Sequence, residues 1–289
     1  MSYGCQSMVA PLRRVIVKRP QTAYRNPDSI RAQWKDLAYT APPDLARAAE
    51  EHSRFISLLG DAEILYLSEA EGTGLDSIYT HDPALITNAG AVIFQTGKVA
   101  RREEGPELGK ALAQWSIPVL GIVDGLATAE GGDLLWLDSQ TLIAGRGFRT
   151  NAAGIASLRA LLYDYNIRII PVDLPYWTGP ADCLHLMSCI SLLDDHLAVV
   201  YKRLLPVQLY ELLLERAIQM IDISEEEYAT QACNVLALAP RKLVMLKGNP
   251  LTRKKLEGAG CEVHEFEGAE ISLKASGGPT CLTRPLWRS

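Results

Sequence analysis

The feature that most constrains this chain is a unit that recurs along it: strand, short turn, strand, helix, strand. The clearest copy begins with GDLLWLDSQTLIAG at 132–145, two apolar strands flanking a polar turn at Asp138-Ser139-Gln140. Thr150-Asn151 follows as a capping signal, 152–165 carries apolar residues at helical spacing, and IRIIPVDL closes as a β-branched strand. A second copy starts at Asp82. PALITNAGAVIFQTG gives two strands around Asn88-Ala89-Gly90, 106–115 reads as helix, and IPVLGIV is the closing strand. A third runs from near Met187 through ISLLDDHLAVVY, a helix around LPVQLYELLLERA, and MIDIS. The fourth is CNVLALAPRKLVMLKG, LTRKKLEGAG and CEVHEF. A fifth, partial copy opens the chain as RRVIVKRP, a long helix near 43–59, and AEILYLS, with GGPTCLTRPLW at the other end to supply its missing strand.

Units of about 45–55 residues signal a radial or stacked repeat. Five of them, closed by the two chain ends, predict a barrel-like α/β ring, with strands near the axis and helices outside. Such closure removes exposed sheet edges. A doubly wound open sheet also alternates β and α, but it joins parallel strands through helices and has no place for a hairpin in every unit. The whole chain, 1–289, is expected to form one domain.

With 48% hydrophobic and 22% charged residues in 289, the chain can bury a full core. The net charge of −5 argues against a nucleic-acid surface or a basic membrane-binding face. The six cysteines are too sparse for a disulfide scaffold, and no pair has C-x-x-C spacing. The first residues lack the apolar stretch of a secretion signal, and no apolar run approaches the ~20 residues that span a bilayer. A cytoplasmic protein is expected.

In a ring of repeats a site forms where equivalent loops converge on the axis. Asp76 and Asp82 lie in GLDSIYTHDP before one hairpin, Glu130 and Asp133 in TAEGGD before the next, and His185 in CLHLMSC before the third. Cys281 lies in GGPTCLT at the closing strand, where Gly277-Gly278 would let backbone approach a ligand. The matching segment of the fourth unit, around Asn234, offers no titratable group except Cys233. Any one of these residues alone reads as readily as a turn or core residue; their shared place in the repeat is what marks them. Arg101-Arg102 and Arg146/Arg149 supply cations near the mouth, as binding a substrate carboxylate would require. The other histidines fit less well: His52 on a charged helix, His81 facing away from Asp82, His196 in a turn and His264 toward solvent. Five scattered histidines suit a metal hydrolase poorly.

Taken in order, D-S-x-x-x-x-D-P, E-x-G-D, R-T-N, L-H-L and a late G-G-x-x-C, these motifs resemble the guanidine-modifying superfamily of arginine deiminases, amidinotransferases and dimethylarginine dimethylaminohydrolases. The resemblance covers roughly residues 12–285. It implies a five-bladed, pseudo-fivefold α/β propeller of ββαβ repeats, in agreement with the ring of repeats, with Cys281 as nucleophile, His185 as general acid/base and Glu130 as the carboxylate beside it. It further implies Asp82 gripping the guanidinium, Asp76 as another substrate-site acid, and Arg101 and Arg149 holding the substrate's α-carboxylate. No cofactor is implied, and the partner is a small guanidino substrate. Arginine deiminases and amidinotransferases usually place a His directly before the nucleophile; here that residue is Thr280. Together with DSIYTHDP, FRTN and LHLMS, this looks most like the dimethylarginine dimethylaminohydrolases. The segment from Thr22 to Pro43 stands where the family's lid would lie. The LLPVQLYELLLERA stretch offers either core packing or a homodimer contact.

Overall fold

The computed structural model describes residues 1–180 and 182–289. Its strands form five separate three-stranded sheets. The first sheet contains β1 (Leu12–Val17) and β2 (Glu63–Tyr66). The second is β3 (Ala84–Ile86), β4 (Ala91–Phe94) and β5 (Val119–Val123), and the third is β6 (Leu134–Asp138), β7 (Thr141–Arg146) and β8 (Arg168–Asp173). The fourth is β9 (Ile190–Asp194), β10 (Leu197–Val200) and β11 (Gln219–Asp222), and the fifth is β12 (Leu236–Ala239), β13 (Lys242–Leu246) and β14 (Glu262–Phe266). The last strand, β15 (Arg284–Arg288), returns to the first sheet and pairs antiparallel with β1.

In sheets two to five, the first strand is antiparallel to the second across a tight turn, and the second is parallel to the third. A parallel pair needs a crossover. Helices supply it: α1 (Leu45–Ser57), α2 (Glu104–Gln114), α3 (Ala152–Leu161), α4 (Val207–Glu215) and α5 (Pro250–Gly258), one per sheet. In the first sheet β15 takes the place of the missing first strand, so the chain ends close the ring as expected. Gly4 reinforces the closure, its N–H donating to Leu286 O at 2.8 Å and its carbonyl accepting from Arg288 N at 3.0 Å.

Burial orders the strands radially. The first and second strands of sheets two to five are buried almost throughout, whereas β5, β8, β11 and β14 alternate or lie half-exposed. The first strands therefore line the axis and the third strands form the rim. Local sequence sets where the helices begin. Asp44 caps α1 by accepting from Arg47 N at 2.9 Å, and Asn151 caps α3 from Gly154 N at 2.8 Å, each worth about 1 kcal/mol. The α4 stretch is two-faced: Leu209 and Leu213 are buried, while Val207, Tyr210 and Leu214 point outward.

The C-terminal strand resolves the basic tail. Arg284 and Arg288 are buried on the axis and bond to backbone carbonyls: Arg284 Nη1 to Ala84 O at 2.5 Å, Arg288 Nη1 to Ala10 O at 2.5 Å and Nη2 to Ala237 O at 2.8 Å. Between them lies a closed axial cavity of about 20 Å³, also lined by Cys5, His81 and Thr280. Among the described residues, no helix is long and apolar enough to cross a membrane.

Candidate active site

Every blade delivers one polar side chain to the same end of the axis, just upstream of its innermost strand. Asp82 precedes β3, Glu130 precedes β6, His185 precedes β9, Asn234 precedes β12 and Cys281 precedes β15. All but Glu130 line one cleft of about 620 Å³, and Glu130 lies fully buried behind its wall, bonded to His185. Asp76, Lys98, Arg101, Arg149 and Cys183 line the cleft as well.

Two close approaches explain the glycines. A Cβ on Gly132 would stand 2.5 Å from His185 Nδ1, and one on Gly278 would stand 2.3 Å from the Asn234 side chain. Without side chains, the first lets the imidazole lie flat on the loop and the second lets Asn234 reach the cysteine. Gly132 N also donates to Asp82 Oδ1 at 3.0 Å. His185 opens a short 3₁₀ turn, Leu186–Ser188, closed by mutual bonds between His185 and Ser188. Buried Asp133 holds that turn by accepting from Leu186 N at 3.0 Å; burial, the main cause, pushes its carboxyl up to about 6.

The charges form linked pairs. Glu130 accepts from His185 Nε2 at 2.6 Å, from Arg149 Nη1 at 3.2 Å and from the Lys98 backbone at 3.2 Å. Burial alone would raise its pKa, but the His185 bond and the Arg149 guanidinium outweigh it and hold Glu130 at about 2. Burial disfavours the imidazolium, yet nearby Cys183, Asp133 and Asp82 keep the His185 pKa well above the usual histidine range. Both directions agree on an imidazolium–carboxylate pair. Asp82 meets Arg101 Nη1 at 2.6 Å, which, against the cost of burial, holds its pKa far below the ordinary carboxylate value. The facing atoms of Asp82, Glu130 and His185 lie within 4.8 Å of one another.

Cys281 is half-buried. Its Sγ accepts from Asn234 Nδ2 at 3.3 Å, and Asn234 Oδ1 in turn accepts from Thr280 N and Oγ1 at 3.1 and 2.5 Å. Burial, then the Asp82 charge, push the thiol above its ordinary value; His185 and Asn234 pull the other way. The fourth blade's Asn234, set aside because it does not titrate, is thus in contact with the sulfur. The available signal was its place in the repeat.

Two expected contacts have a different geometry. Arg101 is fully engaged with the protein: Nε and Nη2 grip Glu104 at 2.8–3.2 Å, Nη2 also donates to Tyr79 O at 3.0 Å, and Nη1 holds Asp82. Expected to hold a substrate α-carboxylate, it instead buttresses Asp82, because α2 begins three residues on and brings Glu104 beneath it. Arg149 has only the two longer contacts to Glu130 and remains part of the cleft lining. Asp76 is paired with Lys98 Nζ at 2.6 Å, and the same ammonium donates to Leu37 O at 2.8 Å. That contact ties the Thr22–Pro43 segment to the cleft, where Asp36, Leu37 and Ala38 form part of the wall.

The family described as arginine deiminase matches this chain over residues 76–217 and 205–288. The chain belongs to the arginine deiminase family. The N(G),N(G)-dimethylarginine dimethylaminohydrolase of Pseudomonas aeruginosa is 25% identical over 247 residues, covering 85% of this chain and 91% of that protein. Its counterpart from Streptomyces coelicolor is 28% identical over 247 residues, covering 83% and 86%. The Pseudomonas enzyme's structure, a mutant complexed with citrulline, superposes with a TM-score of 0.77 at 24% identity over 96% of this chain and all of that one. The propeller is that of the family.

Proposed function

We propose that the chain is a hydrolase that cleaves a guanidinium carbon–nitrogen bond of an arginine derivative, with Cys281 as covalent nucleophile. The carrying observation is the convergence of Cys281, His185 and Asp82 from three blades on one cleft, with Glu130 of another blade bonded to His185 behind its wall, in a member of this family. A bound guanidinium lies against the carboxylates of Asp82 and Glu130, which accept its N–H groups and fix its planar carbon over Cys281. Its positive charge favours loss of the Cys281 proton to solvent, which burial and Asp82 otherwise oppose. The thiolate adds to the carbon, forming the S–C bond of a tetrahedral adduct. His185, protonated through its pairing with Glu130, gives its proton to the departing amine as the C–N bond breaks. Nε2 is tied to Glu130, so Nδ1, whose nearest partner is Cys183 Sγ at 3.7 Å, is the nitrogen that exchanges the proton. A thiouronium remains. Neutral His185 takes a proton from water as it attacks, the S–C bond breaks, and a ureido product leaves with the thiol restored.

The preferred substrate is an Nω-methylated arginine, giving citrulline and methylamine or dimethylamine. Thr280 before the nucleophile and the two dimethylaminohydrolase relatives support this choice. Arg149 holds the substrate's α-carboxylate, releasing Glu130 to the guanidinium as its two long contacts are exchanged. The test is to assay asymmetric dimethylarginine, monomethylarginine and arginine separately for citrulline, with Cys281→Ser alongside. Citrulline from the methylated substrates, absent with the variant, is the expected result. Citrulline from arginine alone would move the activity to deimination, and no ureido product from any of them would overturn the hydrolase reading. A non-catalytic guanidino-binding propeller would show ligand binding with no turnover.

A further inference from the structure

A side pocket of about 160 Å³ adjoins the catalytic cleft, between the loops that lead into β9 and β12. Cys183, Ser188 and Asn234 line both spaces. Two of these shared residues touch the reacting groups: Cys183 Sγ lies 3.7 Å from His185 Nδ1, and Asn234 Nδ2 lies 3.3 Å from Cys281 Sγ. The pocket therefore opens beside both the nucleophile and the nitrogen assigned to protonate the departing amine. Trp177 and Tyr228 line the pocket without reaching the cleft. Their rings stand nearly perpendicular with centroids 6.1 Å apart, and Tyr201 stacks on Tyr228 at 4.0 Å and holds it in place.

Among the described residues that line the pocket, Asp182 is the one acid and no base is present. Its carboxylate accepts from Cys183 N at 2.7 Å and from Thr178 Oγ1, both neutral donors, so its charge stays uncancelled by an ion pair. It acts on the Tyr228 hydroxyl, which burial already pushes above the ordinary tyrosine range, so carboxylate and aromatic wall stand together. The cations of the adjoining cleft, His185 and Arg149, are both paired with Glu130. An acid beside aromatic rings suits a cation that carries methyl groups: the carboxylate takes its N–H groups, and the rings attract its charge and cover its alkyl surface. The volume falls below the ~300 Å³ of metabolite pockets, which limits the occupant to a small ion. The amine released in the proposed reaction is of this kind. It leaves neutral with the His185 proton, which also neutralises the imidazolium, and as a strong base it takes a second proton from solvent. We propose that this pocket receives the departing amine as a small alkylammonium, its N–H groups on Asp182 and its methyl groups against Trp177 and Tyr228. Drawing the amine aside leaves room for water over the thiouronium carbon. The exit role rests on the hydrolase reading; the affinity for alkylammonium ions does not.

Dimethylammonium chloride is the probe, with sodium chloride and sodium acetate at equal concentration as controls, titrated calorimetrically into the full chain. The probe should bind where neither control does. Binding should weaken about tenfold in Asp182→Asn, which keeps an acceptor for Cys183 N, and in Trp177→Leu. It should return toward the parent value in Trp177→Phe and persist in Asp82→Asn. Binding lost in Asp82→Asn but kept in Asp182→Asn and Trp177→Leu would place the ion in the cleft and overturn the proposal, as would no binding to the parent. Cys183, exposed and in the pocket wall, gives a direct footprint. At about ten dissociation constants of dimethylammonium, its alkylation by iodoacetamide, followed by peptide mass spectrometry, should slow about tenfold; an unchanged rate would count against this site. In a citrulline assay, dimethylammonium should inhibit the parent, with its inhibition constant raised about tenfold in Asp182→Asn. Equal inhibition of both would overturn the exit role. If no guanidine is turned over, the hydrolase reading falls while calorimetry still decides the pocket.

Discussion

The two ends of the propeller axis solve the same problem, burying charge, in opposite ways. In the cleft, buried carboxylates are neutralised by side-chain cations: Asp82 by Arg101, Glu130 by His185 and Arg149, Asp76 by Lys98. At the closed end the charges are arginines, and Arg284 and Arg288 are met by backbone carbonyls. A backbone carbonyl cannot leave as a side chain can, and two of the three, Ala84 O and Ala237 O, are held in sheets, so the closed end is a fixed brace. An ion pair between side chains can be exchanged for a charged ligand, so the cleft can accept a guanidinium in place of its own cations. Catalytic potential follows from which partner is exchangeable.

The largest effect that would test this contrast is in the cleft. Cys281→Ser should lower kcat/KM by on the order of 10³–10⁶-fold in a citrulline assay while leaving the thermal midpoint nearly unchanged, and His185→Ala, which leaves buried Glu130 to Arg149 alone, should lose as much activity and some stability with it. A variant that loses activity only because it unfolds would break the contrast. Arg101→Met should affect both properties, since it strands the buried Asp82 and Glu104; chemical denaturation should show a loss of about 3–5 kcal/mol, together with a fall in activity. Arg288→Met, at the closed end, should cost about 1–3 kcal/mol by leaving Ala10 O and Ala237 O without their donor, with kcat/KM within about threefold of the parent. A large catalytic loss in that variant would show that the closed end is more than a brace.

Two smaller effects sharpen the boundary between the ends. Asn234→Ala removes a donor that favours the Cys281 thiolate, so alkylation of Cys281 at mildly alkaline pH should slow about tenfold. His81 sits between the two ends, with Arg284 Nη2 at 2.9 Å from its Nδ1, and burial, then Arg284, hold its pKa down to about 3. Its folded pKa lies below the unfolded value of about 6.5, so the unfolded chain binds more protons in that window. The stability His81 permits is therefore complete above the unfolded value and is lost as pH falls toward 3. His81→Gln should flatten the pH dependence of unfolding free energy between those limits by up to about 1.4 kcal/mol per pH unit.

Much of this molecule was legible from local pattern. Hairpin turns such as Asn88-Ala89-Gly90, caps such as Asn151 and the recurrence of the unit placed the blades, because turn chemistry and strand or helix period depend on residues close in sequence. Counting back from each first strand then located Asp82, Glu130, His185 and Cys281. Asn234 occupies the same position but was passed over, since an amide has no titratable signature. Lys98 and Leu37 were missed for another reason. Their roles exist only because the segment from 22 to 43 folds back over the cleft, a contact spanning 61 residues that no local pattern encodes.

Sequence by itself determined the repeat, its closure by the chain ends and which loops face the axis, since each follows from short-range preferences repeated five times. Only the tertiary structure decided how the charges pair. Arg101 and Arg149 look alike in the chain, yet one is bound by three groups and the other by a single carboxylate. The physical reason is that a buried charge must be compensated by whatever the fold brings within a few ångströms. For Arg101 that included Glu104 from the start of α2, and for Arg149 it was Glu130 alone.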